Sequence, residues 1–153
     1  MLVLADPNNA LIHQYRLVMM FICKAGNTSI KRALADAMDL EDHEAPEHLQ
    51  PHRRFDLAFP APNKMDAWAF RENGYLVCGF VRHPLARLAS CYEDKVCGKQ
   101  LFGPFKRKYE GRMWHRMPFS DFINVVCSIP DGQADQHFRS MAWDLATDSK
   151  PSI

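Results

Sequence analysis

Leu17-Val-Met-Met-Phe-Ile-Cys23 runs straight into Lys24-Ala-Gly-Asn-Thr-Ser29, and this junction decides the fold. The run is apolar throughout, without alternation, and is bounded by Arg16 and Lys24. Such a run reads as a strand buried on both faces, as in a parallel sheet. A short turn follows at Ala25-Gly26-Asn27. Ile30, Ala33, Leu34, Ala37 and Met38 then recur at helical spacing, with Asn27 or Thr28 placed to cap. Residues 17–39 therefore read as strand, tight loop, helix.

The plan recurs at Tyr75-Leu-Val-Cys-Gly-Phe-Val81, read as a second buried strand. It ends at Arg82-His83-Pro84, where the proline suits the first turn of a helix. Leu85, Leu88, Ala89, Tyr92 and Val96 mark one face of that helix. Two such units joined by a crossover imply an α/β fold with parallel strands. Folds of this kind bind ligands beyond the carboxyl ends of their strands, and the turns at 24–28 and 82–84 both lie at such ends. Elsewhere the pattern is weaker. Residues 1–16 read as a loose lead-in, and 40–64 as an irregular excursion rich in Pro and His. Residues 64–72 suggest a short helix, 98–118 a basic and aromatic connection, and 120–127 another short helix.

The chain has 153 residues, 47% hydrophobic and 24% charged, which fits one globular domain over 1–153 and excludes disordered, collagen-like and coiled-coil chains. Nineteen Lys and Arg against eighteen Asp and Glu leave a net charge of +1, which points to no nucleic-acid or membrane partner. The apolar run at 17–23 falls far short of the roughly 18 residues a membrane helix needs, and the N-terminus lacks the order of a signal peptide. Five cysteines without a CxxC pair read as reduced thiols. The sequon Asn27-Thr-Ser29 lies in the first loop, where a glycan would block it. A cytoplasmic location is the expectation.

The first loop has the parts of a phosphate cradle. Backbone N–H groups at a helix start attract an anion. Lys24 adds a full charge, Thr28 and Ser29 add hydroxyl donors, and Gly26 lets the backbone come close. It is not the GxxxxGK(S/T) cradle of nucleoside triphosphatases, because the lysine stands at the strand end. An ordinary turn with an exposed lysine is the alternative. The second turn adds Arg82, and Ser90 on the next helix leans back toward it. A guanidinium fork with a hydroxyl makes a second phosphate grip. A salt bridge for Arg82 and simple packing for Ser90 are the alternatives.

At these residues the chain resembles the sulfotransferases. Phe21-Ile-Cys-Lys-Ala-Gly-Asn-Thr-Ser-Ile-Lys31 is similar to their 5′-phosphosulfate loop, and Gly79-Phe-Val-Arg-His-Pro-Leu-Ala-Arg-Leu-Ala-Ser-Cys-Tyr92 to their 3′-phosphate segment. The carbohydrate branch, which includes heparan sulfate 2-O-sulfotransferase, writes these as PK-x-(A/G)-x-TS-x-K and VR-x-P-x-x-RL-x-S-x-Y. Met117-Pro-Phe-Ser-Asp-Phe122 with Asp135-Gln-His-Phe-Arg139 resembles a later stretch of that branch. Cys23 stands in place of the branch's proline, and Met141 in place of a frequent Gln.

The resemblance implies a P-loop-like three-layer fold with a central parallel sheet flanked by helices. Relatives continue past the point matching Ile153, so the C-terminal part of the family fold is expected to be missing. It further implies transfer of a sulfuryl group from 3′-phosphoadenosine 5′-phosphosulfate (PAPS) to a hydroxyl or amine, on a glycan or small-molecule acceptor. Lys24, Ala25, Gly26, Asn27, Thr28 and Ser29 would hold the 5′ side of the donor, with Lys24 at the leaving oxygen. Arg82 and Ser90 would hold the 3′-phosphate, and no metal is needed. The base would come from the 40–64 excursion: His52 fits best, then His48 and Glu47, with His43 and Glu44 also there. Zinc binding by His43, His48 and His52 lacks a supporting spacing. Trp68, Trp114 and Trp143 read as core residues. A non-catalytic nucleotide-binding remnant and a P-loop kinase or NTPase are the competing functions.

Overall fold

The computed structural model describes residues 3–4, 9–41, 50–59 and 65–145. In chain order its elements are β1 (Val3–Leu4), β2 (Ala10–Ile12), β3 (Leu17–Met20), α1 (Asn27–Ala37), α2 (Gln50–Ala58), β4 (Met65–Asp66), α3 (Ala67–Glu72), β5 (Leu76–Gly79), α4 (Pro84–Lys95), α5 (Gly103–Lys108), α6 (Phe119–Cys127) and α7 (Met141–Leu145). The two strand–loop–helix units are β3–α1 and β5–α4. Their strands pair in parallel, Leu17 opposite Leu76 through to Met20 opposite Gly79. Gly79 is needed for this approach, since a Cβ there would lie 2.9 Å from the Met20 carbonyl oxygen.

The sheet is mixed where a parallel one was expected. Among the described residues it has three strands in the order β2-β3-β5, and β2 runs antiparallel to β3 with Ala10 opposite Met19. A separate pair, β1 and β4, is also antiparallel. Residues 9–16 of the lead-in are therefore not loose. Their Ala10-Leu-Ile12 triplet turns back through a single 3-10 turn, and Arg16 closes that turn in the left-handed region at φ 48°.

Strand β3 lacks alternation because both of its faces are covered. Met19 and Phe21 pack with Phe55 and against Ile30, Leu34 and Met38. Val18 and Met20 pack on the other side against Phe70, Tyr75 and Leu145. Strand β5 departs from its reading as a buried strand. Leu76 is 66% exposed and Val81, just beyond the strand, 63% exposed, because β5 is an edge with no described strand on its outer side.

A second apolar cluster joins Cys91 and Val96 to Phe105, Tyr109, Met113, Met117, Phe122 and Phe138. It organises the 98–118 connection, which contains α5. The buried side of α4 carries Arg87 and Cys91, whereas Leu85 is 67% exposed; the face is rotated from the apolar stripe read in the sequence. Trp114 and Trp143 are exposed rather than core residues, and the Trp68 side chain lies outside the described residues. No helix among the described residues is long and apolar enough to cross a membrane.

The 40–64 excursion holds α2, a helix the polar sequence did not suggest. Phe55 anchors it: the ring is fully buried and meets Phe21 edge to face at 5.3 Å, with Phe59 at 5.0 Å. Phe55→Ala is expected to lower stability by about 3–5 kcal/mol, the usual loss for a truncated core phenylalanine. Urea unfolding monitored by circular dichroism checks this; an unchanged midpoint would mean that α2 is not part of the folded core.

Candidate functional site: two strand-end loops

The chain leaves β3 through Phe21 and Ile22, both buried, and turns at residues 23–26. Lys24 sits in the left-handed region at φ 66° and Gly26 at φ 100°. Gly26 is required by this conformation and not by crowding, since a Cβ there would meet only Ile30 Cδ1 at 3.9 Å. It is also the N-cap of α1, and no side chain caps the helix. The expected cap by Asn27 or Thr28 is absent, because both are already inside the first turn. That turn contains no acidic residue. Its N–H groups and the positive end of the helix dipole are thus presented without a resident carboxylate, as an anion site requires. Asn27 Oδ1, at the base of the loop, is buried with no hydrogen-bond partner among the described residues.

The Lys24 ammonium is engaged. Its Nζ donates to the Asp94 carboxylate at 2.7 Å, and Lys95 donates to the same carboxylate at 3.0 Å. Burial pushes the Asp94 carboxyl up, but the hydrogen bonds and charges of Lys24 and Lys95 outweigh it and leave its pKa below the ordinary value. Asp94 is half exposed, so this pair is a weak hold.

Arg82 follows β5 and reaches across to the first loop, where its Nη1 donates to the Lys24 carbonyl oxygen at 3.3 Å. Ser90 lies on the face of α4 that runs along the same loop. Three residues before it, Arg87 Nε donates to the Cys23 carbonyl at 2.7 Å; four residues after it, Asp94 holds Lys24. Helical register puts Ser90 between those two contacts. The parallel pairing of β3 and β5 thus brings Arg82 to Lys24, and helical register sets Ser90 on the face of α4 that carries Arg87 and Asp94.

Arg87 is the residue that sequence reasoning passed over. It is 4% exposed and spends its donors on three carbonyls: Cys23 through Nε, Arg139 through Nη1 at 2.5 Å and Gln136 through Nη2 at 2.8 Å. Asp144 supplies the counter-charge, 3.7 Å away and itself paired with Arg139. Burial pulls the Arg87 pKa down and Asp144 opposes that pull. The signal available in the sequence was a charged residue one position before Leu88, on a helix whose other positions suggested a different buried face.

His52, on α2, is half-buried, and its Nε2 lies 3.0 Å from the Thr28 hydroxyl. It therefore meets the start of α1 directly. Burial lowers its pKa, the Lys31 charge lowers it further, and Asp56 opposes both. The neutral imidazole is favoured, and Nε2 shares one hydrogen bond with the Thr28 hydroxyl whose direction the ring tautomer sets. Ser29 is exposed at the same helix start. His43, Glu44, Glu47 and His48 lie outside the described residues. Among the described residues no disulfide joins any of the five cysteines.

A model of the sulfotransferase family matches residues 10–152, and the chain belongs to that family. No curated protein and no solved structure matches it. The match includes both strand-end loops, α2 and the 136–144 segment held by Arg87. Arg87→Met is expected to destabilise the chain by about 3–5 kcal/mol, as when one partner of a buried charge network is removed. Urea denaturation measures it. A loss below about 1 kcal/mol, the worth of one ordinary hydrogen bond, would show that the clamp is dispensable.

Proposed function

We propose that the chain moves a sulfuryl group from 3′-phosphoadenosine 5′-phosphosulfate to a hydroxyl, or an amine, of a carbohydrate or small-molecule acceptor. The observation that carries this reading is the contact between the two loops, Arg82 Nη1 on the Lys24 carbonyl, at the carboxyl ends of adjacent parallel strands. Two cationic grips side by side suit a nucleotide with phosphate at both its 5′ and 3′ positions. A nucleoside triphosphate needs only one, and the loop lacks the GxxxxGK(S/T) spacing.

In this reading Thr28, Ser29 and the N–H groups from Gly26 to Ser29 hold the 5′-phosphate, the Ala25 N–H being spent on the Ile22 carbonyl, and Arg82 and Ser90 hold the 3′-phosphate. The acceptor oxygen bonds to sulfur as the bond from sulfur to the bridging phosphate oxygen breaks. Negative charge grows on that oxygen, and Lys24, released from Asp94, stabilises it. The acceptor proton passes to a base. His52 takes that role: its pKa is lowered, and a phosphate that captures the Thr28 hydroxyl leaves Nε2 free to accept a proton. His48 and Glu47 remain the alternative bases. Lys24 and the helix terminus supply the positive charge a metal ion would bring in phosphoryl transfer. The chain acts as one unit in the cytoplasm.

The test is transfer of labelled sulfate from the donor to a panel of sugar hydroxyl acceptors. Lys24→Ala is expected to lower the rate by about two to three orders of magnitude, the loss seen when one electrostatic stabiliser is removed. Donor affinity should fall much less, because the charge grows only in the transition state. Full turnover by the variant would remove Lys24 from the mechanism, and no product from the wild-type chain with any acceptor would favour a non-catalytic remnant.

A further inference from the structure

Lys31 presents a problem that the donor site does not explain. It lies on α1, one turn beyond Thr28, and is 1% exposed. Burying an ammonium is expensive unless it is paired. Here the Nζ bonds the Asp56 carboxylate at 2.5 Å and lies 4.9 Å from the Phe21 ring centroid and 5.9 Å from that of Phe55. The ammonium is held by α2 and screened from solvent. Asp56 is on α2, four residues after His52 and so on the same face. The two helices therefore meet twice in register, Thr28 against His52 and Lys31 against Asp56.

We propose that Lys31 is a positioning residue of this site: through the ion pair of its buried ammonium with Asp56 it fixes the turn of α2 that presents His52 to the Thr28 hydroxyl. The apolar contact at Phe55 holds α2 against β3 but leaves it able to roll about that ring. The Lys31–Asp56 bond resists the roll, because the ammonium is buried and, among the described residues, pairs with Asp56 alone. A roll of one or two ångströms at Asp56 is carried along the helix to His52 and breaks a 3.0 Å contact. Arg54 adds a second tie, to Asp36 at 2.8 Å and to the Leu40 carbonyl, at the far end of α1. Among the described residues, the groups facing His52 are Thr28 and Lys31 from α1 and Asp56 from its own helix. Only for the chemical role of His52 does this inference rest on the proposed sulfuryl transfer.

Lys31→Met is the variant of choice. Methionine keeps a flexible stem against Phe21 and Phe55, and Asp56, 55% exposed, is left solvated and not stranded. Because the carboxylate left behind is solvated, the substitution strands no buried charge, which is what makes the loss of one partner costly, and thermal unfolding verifies that the variant folds. The readout is the NOE between the His52 ring and Thr28 in the ligand-free chain, together with the pH titration of His52. The expected result is loss of most of the NOE intensity and a titration moved up toward the ordinary histidine value of 6.5. In the transfer assay, kcat falls by about ten- to a hundredfold, the penalty of a misplaced catalytic group, with donor KM unchanged and the acidic limb of the rate moved up with His52. An NOE of wild-type intensity overturns the proposal whatever the titration does, since Lys31 would then act on His52 by its charge alone. If the wild-type chain transfers no sulfate, the proposed function fails, while the NOE still decides the role of Lys31.

Discussion

One guanidinium holds the molecule's halves in register. Arg87 grows from α4, in the second strand–loop–helix unit, and its Nε fixes the Cys23 carbonyl, in the first. Its other nitrogens fix the 136–139 segment, and Asp144 balances the charge. Each backbone carbonyl it serves would otherwise be a polar group short of a partner, and unmet buried acceptors are more costly than a made bond is favourable. The constraint reaches the site because Cys23 immediately precedes Lys24. With the Cys23 carbonyl fixed, the chain must turn sharply, and the left-handed conformations of Lys24 and Gly26 follow. That turn aims the uncapped start of α1 into the space beside Arg82.

The ion pairs of the site differ in strength, and the difference suits the proposed roles. Lys24 and Asp94 are joined near the surface, where such a pair contributes about 0–1 kcal/mol. A phosphate carrying more charge, set against the same ammonium and a helix terminus, outcompetes a half-exposed carboxylate. In the proposed reaction Lys24 would be held in place between turnovers without being locked. Lys31 and Arg87 are buried and have no comparable exchange with water. They belong to the frame: Arg87 sets the loop, and Lys31 sets the helix that carries His52.

The parts of this arrangement legible in the sequence were those with a local signature. Strand β3 is an unbroken apolar run because apolar side chains pack against both of its faces. The loop shows its glycine and its lysine, and the Arg82-His83-Pro84 turn shows the start of α4. What was hidden depends on distant partners. Strand β2 has only Ala10, Leu11 and Ile12, too short for a pattern, and exists because β3 offers it an edge. Helix α2 has one buried ring, Phe55, among polar residues, and much of its docking is by charge: Lys31 to Asp56 and Arg54 to Asp36. Spacing cannot reveal such pairs. The same holds for Arg87, whose partners lie 49 to 64 residues away along the chain. The exposure of β5 was equally hidden, because its composition is that of a covered strand.

The central claim is that the two strand-end loops form one site for a nucleotide bearing phosphate at both the 5′ and 3′ positions. Nuclear magnetic resonance of the 15N-labelled chain, titrated with adenosine 3′,5′-bisphosphate, tests it most directly. The account predicts saturable amide shifts concentrated at residues 24–29 and 82–90, with AMP perturbing the first group and leaving the second largely unmoved. Shifts confined to one loop with both nucleotides, or absent from both, would contradict it.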